Sequence, residues 1–374
     1  MYAKYLLYLR CVLRCERAKH PIFEYNFNII SMYRKSILLF LSVCLYVSCQ
    51  QRYSDGSRFD SVEDIPQHKI VFAPVGLNNS VKGNGGFVVL KDTVFFIDFY
   101  YDYNDKKELT AFSVNSQWKK RLLTHLESGP LELSLNNRRL AVFRRVWKTS
   151  YKEYDLDSLL INKEICSDSF FLPNADHLLR VNDIYLCEKI VDGGPHILDV
   201  YDTKGKFLGS VDPYGGFFDL ILDKEKRYIL GQGYLGYNKS GNYVVFASVY
   251  MGVVSLFDVV DKGIVLKKTI QIGSEYPKDI MQGRVTPNSK VYARDICSDE
   301  SNTYILYGDS RVGDKSCYCY ILRLDENGCM DCLKSPINLL RIYATNKRIY
   351  GIADCGKRGN TLVSANLSNV LNNN

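Results

Sequence analysis

The sequence has few of the residues from which metal sites and fibrous proteins are built. Its 374 residues include only 5 histidines and 10 prolines. So few prolines exclude a collagen-like or proline-rich fibrous chain. No compact metal-binding spacing such as His-Glu-x-x-His occurs among the histidines, which are His20, His68, His125, His177 and His196. A lone histidine in a strand protein is usually a hydrogen-bonded core or surface residue. The sequence therefore predicts no metal site and no cofactor.

Motifs of common catalytic centres are also missing. There is no Gly-x-Ser-x-Gly elbow and no Walker loop. The glycine cluster at 83–86 precedes a predicted strand rather than a helix, which indicates a turn and not a phosphate site. Asp219 and Asp223 alternate on one predicted strand without a partner histidine. No catalytic residue is predicted, and we expect a protein that is not an enzyme.

The charge pattern excludes nucleic acid as a partner. Before Cys49 there are seven basic and two acidic residues, and from Cys49 onward there are 41 basic and 39 acidic. The net charge of +7 therefore lies mostly in the first 48 residues. A nearly neutral body has no basic surface for a phosphate backbone.

No apolar run is long enough to span a bilayer, but one is typical of a secretory signal. Arg34 and Lys35 precede the 12-residue apolar run Ser36–Val47, whereas a spanning helix needs about 20 residues. The following Val47-Ser48-Cys49 resembles a bacterial lipobox, although Tyr46 stands where leucine is usual and Leu45 lies one residue earlier. The resemblance implies that 32–48 is a lipoprotein signal and that Cys49 carries a diacylglyceryl thioether and an N-acyl chain such as palmitate. An ordinary secretory signal and an uncleaved anchor are the alternatives.

The segments around this signal complete the predicted organisation. Residues 1–31 are either sequence upstream of a true start at Met32 or a short basic leader. Residues 49–68 are polar and predict a flexible tether, 69–369 form the folded body, and 370–374 are a disordered tail. Gln50 and Gln51 follow the cysteine in place of aspartate. By resemblance to other lipoproteins, this directs a lipid-anchored protein to the outer membrane.

The body predicts an all-β fold made of repeated short strands. Six apolar runs begin at residues 94, 140, 184, 244, 304 and 349, with spacings of 46, 44, 60, 60 and 45. Several are followed by a second strand, a turn with aspartate and glycine (DTKG at 202–205, DKG at 261–263, DENG at 325–328), and a third strand. Periods of this length indicate a six-bladed β-propeller. We predict that Lys69–Ala73 closes the ring by pairing with the last blade, 339–367. A pair of two-sheet sandwiches is the alternative.

Three stretches carry a resemblance to a known family. They are LLRIYATNKRIYGIAD (339–354), YILRLDENGCMDCLKSPINLLRIYA (320–344) and GNYVVFASVYMGVVSLFDV (241–259). Over about 70–367 the chain resembles the TolB-like six-bladed β-propeller lipoproteins of Gram-negative gut anaerobes. The resemblance implies a fold and a location, since most members are described only as lipoproteins of unknown activity.

Two groups of residues are candidates for a site. Aromatic residues beside glycine in predicted loops suit stacking on a sugar or peptide; they are Tyr100, Tyr101, Tyr103, Tyr214, Phe217 and Phe218. A packed blade rim is the alternative. Four cysteines, Cys317, Cys319, Cys329 and Cys332, lie on two neighbouring predicted strands. Buried free thiols, one or two disulfides, and a structural zinc all remain open.

Together these features predict a cell-envelope lipoprotein whose propeller is a binding or scaffold module. Its predicted partners are the membrane, through the lipid anchor, and an envelope protein, a peptide or a glycan. The alternatives are a metal-dependent propeller hydrolase or lactonase, and a structural envelope protein without a ligand.

Lipidation is tested by replacing Cys49 with serine. The variant is expected to move from the membrane fraction to the soluble fraction, because the acyl chains that anchor the protein attach to that thiol. Fractionation and the intact mass of the mature N-terminus measure this. Unchanged membrane association without an acyl mass would contradict the prediction.

Overall fold

Six β-sheets arranged in a ring make up the fold, as the sequence predicts. The computed structural model describes residues 57–75, 80–81, 86–98, 107–115, 118–126, 131–136, 138–144, 148–173, 175–189, 198–215, 229–273, 277–312, 317–356 and 359–368. Between the strands lie a 3-10 turn at Val62–Asp64 and the short helices α1 (Leu156–Leu160) and α2 (Lys278–Met281). None of the described helices is long and apolar enough to cross a bilayer. The arrangement is that of a six-bladed β-propeller.

From Phe87 onward, the consecutive strands of each blade form an antiparallel meander in chain order. Four short strands precede the blades: β1 (Ser57–Phe59), β2 (Gln67–Lys69), β3 (Ala73–Pro74) and β4 (Ser80–Val81). Blades I and II contain β5 (Phe87–Leu90), β6 (Thr93–Asp98), β7 (Lys107–Ser113), β8 (Lys119–Leu126), β9 (Leu131–Asn136), β10 (Arg139–Arg144), β11 (Lys148–Asp155) and β12 (Cys166–Pro173). Blades III and IV contain β13 (Ala175–Val181), β14 (Ile184–Lys189), β15 (Leu198–Asp202), β16 (Phe207–Val211), β17 (Gly233–Asn238), β18 (Tyr243–Ser248), β19 (Val253–Val260) and β20 (Gly263–Ile272). Blades V and VI contain β21 (Lys290–Ser298), β22 (Thr303–Arg311), β23 (Tyr320–Leu324), β24 (Met330–Lys334), β25 (Leu339–Ala344), β26 (Arg348–Asp354) and β27 (Asn360–Asn366).

The six apolar runs of the sequence are the second strands of the six blades, β6, β10, β14, β18, β22 and β26. A second strand has neighbours on both sides and a blade packed on each face, so it is apolar throughout; Tyr243–Ser248 is buried at every position. The predicted turns at 202–205, 261–263 and 325–328 join third and fourth strands.

Buried apolar clusters fill all six joints between neighbouring blades. Val245 of blade IV and Ile305 of blade V share one such cluster. The joint between blades VI and I, where the two ends of the ring meet, holds Ile352, Val94 and also Val75 from the segment before blade I. Because every blade face is covered by a neighbour, the ring is closed.

The N-terminal segment closes the ring, as predicted, but with different bounds. Ala73 and Pro74 pair with Ser364 and Val363 of β27, so they supply the fourth strand of blade VI. The predicted strand Lys69–Ala73 is not continuous: Lys69 pairs with Lys334 of blade V instead. The chain crosses from one blade to the next between these two pairings.

The predicted tether at 49–68 needs correction for its second half. Residues 57–59 pair in parallel with the outer strand β20 of blade IV, and 67–69 pair in parallel with β24 of blade V. Val62 and Ile65 are buried in the joint between these two blades. These two apolar side chains attach the stretch to the ring. The polar composition of 49–68 as a whole predicts a tether and does not indicate this attachment.

A buried carboxylate with charged partners lies where blades II and III meet. Glu153 is 2% exposed, and its carboxylate lies 3.1 Å from Arg139 Nη1 and 3.3 Å from Arg180 Nη1. The Tyr151 hydroxyl donates to it at 2.7 Å. Arg180 also contacts Asp168 at 2.8 Å. A buried carboxylate is tolerated only with such partners, so this joint depends on a charged network as well as on apolar packing.

The N-terminal segment offers a matched pair of substitutions. Ile70 is 1% exposed and packs between blades V and VI, while the adjacent Val71 is 66% exposed. Ile70→Ala is expected to lower the free energy of unfolding by about 2–5 kcal/mol through the lost contacts and the cavity, and Val71→Ala by less than about 0.5 kcal/mol. Urea denaturation measures both. Equal effects would mean that the segment does not seal this joint.

The buried network is tested by Glu153→Ala. Removing the carboxylate leaves the buried Tyr151 hydroxyl without its acceptor, while Arg180 keeps Asp168 and Arg139 is exposed. The expected loss in unfolding free energy is therefore about 1–3 kcal/mol. The control is Asp258→Ala, which breaks the 3.1 Å pair with Lys267, where Asp258 is 53% exposed. This variant should unfold almost like the parent. A Glu153 variant as stable as the control would contradict the structural role.

Candidate functional site

The first strands of all six blades surround a central cavity of about 440 Å³. These inner strands are β5, β9, β13, β17, β21 and β25. The lining combines aromatic and ionisable side chains. The aromatic residues are Phe87, Phe143, Tyr151, Tyr234, Tyr237 and Tyr343, and the ionisable ones are His177, Arg180, Lys239, Asp295, Cys297, Asp299, Glu300 and Arg341. A cavity of this size with a few converging polar groups is typical of a small-ligand site.

An ion pair bridges the inner strands of blades V and VI. Arg341 Nη1 lies 3.2 Å from Asp295 Oδ1, and both side chains are 13% exposed. The backbone N–H of Ile342 donates to the other carboxylate oxygen at 2.8 Å. The pairing of β21 shifts register on both sides of Ala293, and such bulges re-aim the following side chains. The bulged strand therefore positions Asp295 in the wall of the cavity.

A second pair lies on blade III. His177 Nδ1 is 3.0 Å from Glu188 Oε1, and both side chains are almost fully buried. The pairing of β13 with β14 shifts between Asp176 and Leu178, and His177 has a φ of +35°. A positive φ is uncommon for residues other than glycine and often marks a functional position. The histidine ring also lies 5.1 Å from the ring of Tyr234 on the next blade.

Bonds between neighbouring hairpin turns frame one end of the cavity. The Tyr237 hydroxyl donates to Asn182 at 2.9 Å, joining blades IV and III. Asn238 Nδ2 donates to the carbonyl of Asp299 at 3.1 Å, joining blades IV and V. The N–H of Glu300 donates to Asn346 at 3.2 Å, joining blades V and VI. This end is therefore a rim of linked turns that carries the exposed Lys239 and Glu300.

The cysteine and the half-buried tyrosines of the wall stay neutral near pH 7. Burial, followed by the charge of Asp295, raises the pKa of the Cys297 thiol well above its ordinary value. Burial also raises the pKa of Tyr343. Burial raises the pKa of Tyr237 as well, although the hydrogen bond that its hydroxyl makes with Asn182 opposes this effect. A protonated thiol is a poor nucleophile. The wall therefore offers hydrogen bonds and ring faces rather than an activated nucleophile.

The aromatic candidates from the sequence lie elsewhere. Tyr100, Tyr101, Tyr103, Phe217 and Phe218 are outside the described residues. The prediction for Tyr214 needs correction, because this side chain is 4% exposed and belongs to the core between blades III and IV. Its hydroxyl donates to the carbonyl of Leu230 at 2.6 Å and lies 3.0 Å from Ser248 Oγ. Tyr214 is thus a packing residue in the joint between two blades.

The four predicted cysteines do not form one cluster. Cys317 and Cys319 lie just before β23 with their sulfurs 3.0 Å apart. Cys329 is exposed at the turn before β24, and Cys332 is buried in the joint between blades IV and V. Within the described part of the chain, no group of three or more His, Cys, Asp or Glu side chains is placed to hold a metal ion. Cys49 is outside the described residues.

Sequence reasoning did not find the cavity residues. The sequence predicts an ordinary hydrogen-bonded role for His177 and no role for Arg180, Asp295 or Arg341 in a site. His177 and Arg180 lie on β13, Asp295 on β21 and Arg341 on β25, and no common spacing links these positions. A local signal exists in three inner strands, where a charged residue stands among apolar ones: Arg180 in β13, Asp295 in β21 and Arg341 in β25.

Comparison with known proteins supports the fold. No protein-family model and no curated protein matches the sequence. The solved structure of a Bacteroides fragilis protein described as exported is similar with a TM-score of 0.51 and 12% identity, over 80% of this chain and 98% of that chain. A Bacteroides vulgatus protein of the DUF4221 family has a TM-score of 0.46 and 10% identity, over 81% of this chain and 97% of that chain. At 12% identity, the likeness to the first protein shows a shared fold and leaves ligand and activity open.

Proposed function

We propose that this chain is an exported, lipid-anchored protein whose propeller binds a small polar ligand in its central cavity and does not act as an enzyme. The cavity of about 440 Å³ at the meeting point of all six inner strands carries this proposal. Sites in propellers form where several blades converge, because only there do side chains from distant parts of the chain share one concavity.

The export part of the proposal rests on the sequence. The basic pair Arg34-Lys35, the apolar run Ser36–Val47 and the following Cys49 have the order of a lipoprotein signal. The resemblance to TolB-like propeller lipoproteins and the exported protein of the same fold from Bacteroides fragilis support it. The outer membrane is the proposed location, with Cys49 as the lipidated residue.

Binding is favoured over catalysis by the state of the ionisable groups. Arg341 pairs with Asp295, and His177 contacts Glu188, so these polar groups are engaged within the wall itself. Side chains that already contact each other are held in one position. They can therefore present hydrogen-bond donors and acceptors to a polar ligand without moving first.

The ligand that fits is small and polar with one apolar face. Ring faces of Tyr237, Tyr343 and Phe143 border the cavity together with the polar groups described above. Aromatic rings pack against apolar faces while their hydroxyls hydrogen-bond. A short glycan or the end of a peptide has this combination of groups.

Filling the cavity tests the proposal. Ser134 on β9 lines the cavity with an exposed side chain, so Ser134→Trp should occupy the space without disturbing the blade. The control is Thr203→Trp, on an exposed turn between β15 and β16. Thermal unfolding is followed for the parent and both variants against a panel of short oligosaccharides and peptides.

A bound ligand at 100 times its Kd stabilises the folded state by about 2.7 kcal/mol. The expected result is a ligand-dependent rise in Tm for the parent and for Thr203→Trp but not for Ser134→Trp, with equal Tm values for all three in the absence of ligand. A rise that persists in Ser134→Trp would place binding outside the cavity.

A further inference from the structure

Two thiols are held side by side at the surface of blade V. Cys317 Sγ and Cys319 Sγ are 3.0 Å apart, about 1 Å longer than the S–S bond of a disulfide. Cys317 is exposed and Cys319 is half-buried. The pair lies immediately before β23, so it belongs to the connection between the second and third strands and not to the cavity wall.

The residue between them fixes this arrangement. Tyr318 is 3% exposed; its N–H donates to Asn338 Oδ1 at 2.7 Å and its carbonyl accepts from the N–H of Leu339 at 3.1 Å. The carbonyl of Cys319 accepts from the N–H of Ser335 at 2.7 Å. The connection between blades V and VI therefore holds the backbone on both sides of Tyr318. With Tyr318 turned inward, its two neighbours point to the opposite side together.

The second cysteine pair of blade V has the opposite geometry. Cys329-x-x-Cys332 has the spacing of many redox motifs, but Cys332 is 0% exposed within the joint between blades IV and V, while Cys329 is exposed. The two side chains therefore face different environments. The fold brings the Cys-x-Cys pair together and separates the Cys-x-x-Cys pair.

We propose that Cys317 and Cys319 are a reversible dithiol–disulfide exchange site whose co-reactant is a small-molecule or protein disulfide. The Cys317 thiolate attacks one sulfur of the external disulfide, which forms a mixed disulfide and releases the first thiol. The Cys319 thiol then loses its proton and attacks Cys317 Sγ, which forms the internal disulfide and releases the second thiol. Two protein thiols are oxidised, and one external disulfide is reduced to two thiols.

The order of attack follows from exposure. Cys317 is accessible to an external disulfide, whereas Cys319 is sheltered. Burial, and then the hydrogen bond with Cys317, raises the pKa of Cys319 to about 12, which makes it a poor first nucleophile. Once Cys317 is in a mixed disulfide, that hydrogen bond is lost and the neighbouring sulfur is already within reach.

Exchange fits this pair better than a stabilising role. The disulfide would enclose a loop of only three residues, which restricts the unfolded chain little. Exposed disulfides in small loops are the labile kind, suited to exchange or regulation. This proposal is independent of what the central cavity binds.

Trypsin separates the two cysteine pairs, which makes a direct test possible. Cleavage after Lys315, Arg323 and Lys334 gives SCYCYILR (316–323) and LDENGCMDCLK (324–334). The folded, reduced protein is incubated with oxidised glutathione and trapped with N-ethylmaleimide, first folded and then denatured, and its peptides are identified by mass spectrometry. The expected result is that 316–323 loses two hydrogens and takes no maleimide, while 324–334 shows no internal disulfide. A thiol reductant should restore maleimide labelling of 316–323.

Two variants complete the experiment. Cys319→Ser is expected to accumulate a glutathione adduct on Cys317, because the resolving thiol is gone. Cys329→Ser is the matched control and should leave the disulfide in 316–323 unchanged. The proposal is overturned if both thiols of 316–323 remain labelled by maleimide, if the parent stops at the glutathione adduct, or if the disulfide forms in 324–334 instead.

Discussion

Each blade has two apolar faces, and the burial of both faces depends on the neighbouring blades. Strands such as Tyr243–Ser248, buried along their whole length, would expose a continuous apolar surface in an isolated sheet. Closing the ring covers every face at once, and the last joint is completed by a short contact: Ala73–Pro74 on β27, with Ile70 and Val75 buried on either side. The cavity is enclosed because the apolar joint between blades VI and I closes the circle of sheets.

The N-terminal segment also protects the outer edges of the sheets. Unpaired edge strands invite association with other chains. β1 covers the edge of blade IV, β2 covers that of blade V, and β3 and β4 pair with β27 of blade VI. A segment that follows the proposed lipidated Cys49 closely in sequence is thus part of the fold.

The inner wall and the outer surface of the ring carry different chemistry. In the wall, carboxylates meet arginine or histidine at 3.0–3.3 Å, and the Cys297 thiol is kept protonated by burial. At the surface of blade V, a thiol pair lies in contact with solvent. Recognition is therefore proposed for the cavity, and covalent chemistry for the surface of blade V, because reactivity of a thiol requires access as well as a neighbour.

The sequence by itself determined the class of fold and the number of blades. Six apolar runs at blade-like spacing are the six second strands, since only a strand buried on both faces is apolar at every position. The aspartate–glycine turns were predictable because they are local. The site residues of the inner strands were not, since some of them have their partner on another blade, as Asp295 and Arg341 do. Tyr214 has the sequence context of a loop aromatic, and only the packing between blades III and IV decides that it is buried. Likewise, Cys-x-x-Cys is the stronger redox pattern in the sequence, but the hydrogen bonds that hold Tyr318 inward place the thiols of Cys-x-Cys in contact. Local composition specifies which strands form, whereas the contacts between blades specify which side chains meet, because those contacts join residues that no sequence spacing relates.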